Sequence, residues 1–294
     1  MDEIDIETRG RVDQALAELA DSPRAADAYS WVIQIAQETE RLEEVERYVP
    51  LLDRLSVGFF DPEVDGSEGF GLIAYSSAAM DVAAGAVAQT REFRLNTGGH
   101  QFPLIIRTFR RDRQVSLTSP NNALLTCYGR SADFATTGWL TCRHAVGAAG
   151  SVVFSDHSSG TIAADWGECI DAALVHGGPN GPASHVPCLR GVAGGVDVRS
   201  EDQAGNRVRA TIVDVDVNVG VVRARRFPIR FTYNWTTSLP GDSGAMVYAD
   251  PCGEPLGMHQ GAATVTNPVG GTKRLAYGLC LFQLEDFGGL EVYQ

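Results

Sequence analysis

Gly241-Asp242-Ser243-Gly244 decides the reading of this chain. A serine hydroxyl is a weak nucleophile until a neighbouring base takes its proton. The oxyanion formed when it attacks a carbonyl also needs donors aimed at it. Glycine two residues before the serine permits a tight turn that points the N–H groups of Gly241 and Ser243 the same way. All four residues are also ordinary turn formers, so this stretch by itself admits a plain turn.

Upstream, Thr137-Gly138-Trp139-Leu140-Thr141-Cys142-Arg143-His144-Ala145-Val146 reads as a strand with a histidine at its tip. Cys169-Ile170-Asp171-Ala172-Ala173-Leu174-Val175 brings an aspartate into an apolar strand. Each alone is commonplace. Together they give the order His, Asp, Ser, spaced by 27 and then 72 residues. An α/β-hydrolase runs Ser, Asp, His, and Ala245 breaks its G-x-S-x-G elbow. An imidazole on one β-barrel meeting a serine on another fits the observed order.

These three segments resemble the chymotrypsin-fold serine peptidases, whose strands carry T-A-x-H, D-[IL]-A-[LV] and G-D-S-G. The resemblance spans roughly residues 100–288. It implies a general base at His144, an orienting acid at Asp171, a nucleophile at Ser243 and an oxyanion hole from the Gly241 and Ser243 amides. The implied fold is mainly β: two antiparallel six-stranded barrels. The chain departs from the pattern where Ala145 replaces the usual cysteine after the histidine, and where Ala245 follows the G-D-S-G. It has no Ile-Val-Gly-Gly activation site, so the partner of Asp242 is open.

Leu256-Gly257-Met258-His259-Gln260-Gly261-Ala262 resembles the G-[IM]-H-x-G segment of glutamyl endopeptidases and picornaviral main proteases. That likeness implies a primary specificity pocket lined by His259, Ser238, Thr237 and Gly261, with Glu or Gln before the cut. A buried strand histidine satisfied by the backbone is the plainer reading of His259. Thr237 stands where trypsins carry aspartate, so Arg or Lys would find no anion.

The rest of the sequence sets the frame. Its 294 residues, 44% hydrophobic and 21% charged, can bury a large core. The net charge is −13, and residues 1–60, with 14 acidic residues against six arginines, carry −8 of it. Such a balance argues against nucleic acid as a partner. Phe109-Arg110-Arg111-Asp112-Arg113 reads as a solvated strand edge or turn. No 18-residue apolar run is present, which argues against a membrane span. The acidic start, MDEIDIETRG, is unlike a signal peptide. The six cysteines form no C-x-x-C pair, so free thiols in a cytoplasmic protein are expected, with no metal and no cofactor.

Helical periodicity places an N-terminal α-helical hairpin over residues 1–57, its helices at 9–20 and 23–49. A turn-rich linker with a short helix at 77–92 follows over 58–99. The β domain fills 100–294. Its clearest strand is Val213–Val221, whose valines alternate with Asp214, Asp216 and Asn218, the pattern of one dry and one wet face. Tyr277–Leu284 reads as another strand. The expected ligand is a protein or peptide substrate, with a candidate partner protein on the N-terminal helices. The rival functions are a catalytically inactive binding or scaffold protein on the same fold and, less favoured, an esterase.

Overall fold

In the computed structural model, the residues described are 52–67, 69–76, 93–97, 100–111, 123–146, 151–189, 192, 194–216, 230–267 and 271–294. The helices expected at 9–20, 23–49 and 77–92, and the partner surface they were to offer, lie outside the described residues. No helix among the described residues is long and apolar enough to cross a membrane.

The strands, in chain order, are β1 (Leu52–Phe60), β2 (Gly69–Ser76), β3 (Phe93–Thr97), β4 (His100–Arg111), β5 (Cys127–Ser131), β6 (Thr136–Thr141), β7 (Ser151–Val153) and β8 (Ser159–Asp165). They continue with β9 (Ala173–Gly177), β10 (Asp197–Glu201), β11 (Arg207–Asp216), β12 (Arg230–Tyr233), β13 (Met246–Ala249), β14 (Pro255–Thr266), β15 (Thr272–Cys280) and β16 (Leu290–Tyr293). Four helices interrupt them: α1 (Pro62–Asp65), α2 (Arg143–Val146), α3 (Gly167–Ile170) and α4 (Leu281–Gly288).

One antiparallel sheet has six strands in the order β16-β5-β6-β9-β8-β7. The other has ten, in the order β10-β13-β14-β15-β12-β11-β1-β2-β4-β3. A β10–β11 pairing closes six of these into a ring. A β4–β14 pairing closes a second ring through β15, β12, β11, β1 and β2. The expected pair of six-stranded barrels thus becomes an open six-stranded sheet, a closed six-stranded ring and an additional ring. Two long strands change partner midway. β11 pairs β10 over Arg207–Thr211 and β1 over Asp214–Asp216. β14 pairs β13 near Met258 and β4 over Ala263–Thr266.

The second ring corrects the sequence reading. Residues 52–57, which the domain bounds grouped with the helical hairpin, begin β1, and the first part of the expected linker 58–99 is the end of β1, helix α1 and β2. Gly58 reads as a turn residue but serves close packing: a Cβ there would lie 2.4 Å from the Asp214 Cβ. β1 hides from pattern reading because polar residues point inward from it. Arg54 and Ser56 are buried against the two aspartates of β11.

Those aspartates are the second correction. Asp214 is fully buried and Asp216 nearly so, where a wet face was expected. Asp214 takes hydrogen bonds from Arg54, Tyr75 and Thr232. Arg107, also fully buried, grips Asp65 through Nε (3.1 Å) and Nη2 (2.6 Å) and reaches the Tyr75 hydroxyl. Burial alone would lower the Arg54 pKa, but Asp216 and Asp214 more than offset it and hold the guanidinium above its ordinary value. Apolar Ile73, Ile105, Phe109, Val265, Leu275 and Tyr277 pack around this charged centre. Finally, Tyr277–Leu284 is a strand only as far as Cys280; Leu281 opens α4.

Candidate active site

Ser243 sits in the turn before β13, between the two sheets. Gly241 and Gly244 give that turn its shape, with φ of 106° and 91°. At Gly244 a side chain is excluded twice over, since a Cβ would lie 1.9 Å from the Leu124 carbonyl oxygen. The turn is pinned from both sides. Leu124 N–H donates to the Ser243 carbonyl, Thr126 Oγ1 to the Gly244 carbonyl, and Gly244 N–H to the His259 carbonyl. Asp242, whose partner the sequence left open, is buried and accepts from the N–H groups of Gln203 and Leu239.

His144 follows β6 on the short helix α2. Asp171 ends α3 in the left-handed conformation, φ 58° and ψ 49°, which costs a non-glycine residue about 1–2 kcal/mol. The strain is offset locally. Asp171 N–H donates to the Gly167 carbonyl at 2.8 Å, and His144 N–H donates to Asp171 Oδ1 at 2.9 Å. The second carboxylate oxygen lies 2.7 Å from His144 Nδ1, and His144 Nε2 lies 3.0 Å from Ser243 Oγ. A carboxylate beside Nδ1 selects the tautomer with its proton there, so Nε2 faces the serine as an acceptor. Asp165, the nearest other aspartate along the chain, is instead paired with Arg143 at 2.6 Å.

The Gly241 and Ser243 N–H groups have no hydrogen-bond partner among the described residues, whereas those of Asp242, Gly244 and Ala245 are all engaged. Two free donors thus flank a hydroxyl already bonded to an imidazole. Cys142, His144 and Asp171 are three donor atoms within 4.8 Å of one another. They do not suit a metal ion: His144 and Asp171 are bonded to each other. The Cys142 thiol donates to the His259 carbonyl, and burial holds its pKa well above the ordinary value.

The pocket segment differs from its sequence reading in depth. His259 is fully buried. Its Nδ1 meets the Tyr233 hydroxyl at 2.5 Å and its Nε2 meets Ser238 Oγ at 2.8 Å. Trp235 covers the ring, centroid to centroid 4.7 Å. Burial, then the nearby His144 and Arg274, push the His259 pKa down to about 3, so the ring is neutral. Thr237 is exposed, and Gly261 follows a bulge in β14. Tyr233, Trp235, Gln203 and Gln260 were not singled out by sequence. Only Gln260, adjacent to His259, lay inside a recognised motif.

No protein-family profile matches the chain, and neither does any curated protein sequence. Solved structures similar to it include a Nocardiopsis protease (15% identity, TM-score 0.41), over 58% of this chain and 92% of that one. A glutamic-acid-specific serine protease, described as using a histidine triad in substrate binding, matches at 18% identity and TM-score 0.41 over 58% and 93%. An M. tuberculosis protease in its active form matches at 16% identity and TM-score 0.34 over 60% and 86%.

Proposed function

We propose that this chain is a serine endopeptidase. The observation that carries the reading is the run of short contacts from Asp171 through His144 to Ser243, beside two unengaged N–H groups. In this mechanism His144 Nε2 takes the Ser243 proton as Oγ attacks the scissile carbonyl. The Gly241 and Ser243 amides stabilise the oxyanion, and the imidazolium, held by Asp171, returns the proton to the leaving amine. Water then repeats the sequence on the acyl-enzyme.

The pocket reading takes Glu or Gln before the cut, and a neutral His259 favours Gln. Burial keeps the Tyr233 hydroxyl protonated well past its ordinary range, so Tyr233 donates to His259 Nδ1. The Nε2 proton is then donated to Ser238 Oγ, which leaves the Ser238 hydroxyl proton for a substrate side-chain carbonyl. This relay offers a neutral donor and no anion, so Arg or Lys would enter unpaired.

Fluorophosphonate labelling and a proteome-derived peptide library test both levels. Wild type should label at Ser243 and cut after Gln or Glu, and Ser243→Ala should do neither. An unlabelled wild type would make the fold an inactive scaffold. Cleavage after Arg, Lys or aromatics, unchanged by His259→Ala, would remove the pocket assignment and leave the triad.

A further inference from the structure

Gln260 lies next to His259, yet its side chain serves a different place. β14 pairs His259 with Gly278 and Gly261 with Tyr277, so Gln260 is the extra residue of a β-bulge. A bulge re-aims a side chain that regular alternation would send elsewhere. The Gln260 side chain is fully buried. Its Nε2 donates to the Ile170 carbonyl at 2.7 Å and to the Asp171 carbonyl at 3.3 Å. Its Oε1 accepts from Arg230 Nε at 3.1 Å. Only one orientation of the amide satisfies all three contacts, which fixes the assignment of its oxygen and nitrogen.

Asp171 has few other anchors. Its N–H is spent on Gly167 and both carboxylate oxygens on His144. The two carbonyls on either side of its strained left-handed conformation are what Gln260 holds. Behind Gln260, the Arg230 N–H donates to Asp216 Oδ2 at 3.0 Å, and Asp216 Oδ1 takes Arg54 Nε at 2.6 Å. Arg54 belongs to β1, in the second ring.

We infer that Gln260 is a positioning residue: it fixes Asp171 beneath His144 and anchors that carboxylate to the Leu52–Arg111 strands through Arg230 and Asp216. The inference rests on the endopeptidase reading for its kinetic consequences. Gln260→Glu is the sharper variant. It keeps an acceptor for Arg230, so the buried guanidinium retains a partner, while a carboxylate oxygen now opposes the two carbonyls. Gln260→Met removes all three contacts at nearly the same volume.

The experiment counts active sites by fluorophosphonate titration, then measures kcat, KM and the pH profile per titrated site. Gln260→Glu is expected to lower kcat per site about 10–100-fold, short of the roughly 10⁴-fold loss from a wrong imidazole tautomer. KM should stay within about threefold, because the residue acts on the reacting groups and not on uniform binding. In Gln260→Met, which adds no charge, the acid limb should move to lower pH by about 0.5 unit or more, since a displaced carboxylate supports the imidazolium less. The titratable and charged groups around that imidazole include Asp171, Cys142, His259, Tyr277 and Arg274. Fewer titrated sites with an unchanged rate per site and an unmoved limb would mean a merely structural role and overturn the inference. If Gln260→Met fails to fold, Gln260→Glu decides alone. If wild type itself neither labels nor cleaves, the endopeptidase reading fails separately. NMR titration of the His144 imidazole then decides: a lower midpoint in the uncharged Gln260→Met supports the positioning role, and an identical one overturns it.

Discussion

Lowering the pH should unfold this protein through His259 in a way that a substitution can isolate. The ring is fully buried between Tyr233, Ser238 and Trp235. Its pKa falls from 6.5 to about 3 in the fold. Between those values the unfolded chain binds a proton that the folded chain refuses, so stability rises with pH in that window and is lost as pH falls through it. The loss is about 1.4 kcal/mol per pH unit below 6, or roughly 3 kcal/mol between pH 7 and pH 4. Urea denaturation of the full chain at pH 7, 6, 5 and 4, for wild type and His259→Asn, gives the test. The variant starts less stable but should lose about 3 kcal/mol less over that range, the carboxylates of the protein cancelling in the comparison. Parallel loss in the two proteins would refute a neutral buried ring. The same neutrality predicts that the preference for Gln over Glu holds constant from pH 5.5 to 8, as read from paired peptide substrates.

Three further outcomes are expected. Arg107→Met removes the ion-pair partner of the buried Asp65 carboxylate and leaves it only the Asp61 N–H and the Asn267 amide; it should cost about 3–5 kcal/mol in a urea titration, and a loss under about 1 kcal/mol would show that those two neutral donors suffice. Gly244→Ala combines a left-handed φ with a backbone clash; a cost of at least about 2 kcal/mol and slowed fluorophosphonate labelling are expected, and normal labelling would contradict the role of that turn. Among the five cysteines whose side chains are described, all unbridged, only Cys252 is exposed, and burial pushes the Cys127 thiol up to about 12; a thiol reagent should therefore reach Cys252 first in the native protein, with six groups reacting in denaturant, and two or fewer would contradict free thiols.

The parts legible in sequence were those carried by contiguous residues. His144, Asp171 and Ser243 each sit in a local motif, and the order of the motifs supplied the pairing. The hidden parts depend on distant partners. Nothing local to Asp214 announces Arg54, 160 residues away, so alternation with valine read as a wet face. The same blindness hid β1, because its inward polar residues broke the apolar period. Asp242 gave no sign of Gln203. The bulge at Gln260 is set by the register between β14 and β15, which a single strand does not encode.

The ring built from Leu52–Arg111 has a consequence for synthesis. β1 waits for β11, as in the pair Ser56↔Asp216, and β4 waits for β14, as in Arg110↔Thr264. At ribosomal speed these strands emerge roughly 10–30 s before the strands they must join. Throughout that interval their edges are open and Arg54 lacks Asp214 and Asp216, which neutralise it in the finished protein. The strands of Leu52–Arg111, made before their partners, are therefore among the last to settle. The contacts that run from Asp171 through Gln260, Arg230 and Asp216 to Arg54 can form only once β14 has emerged, so a shorter nascent chain leaves Asp171 without that support.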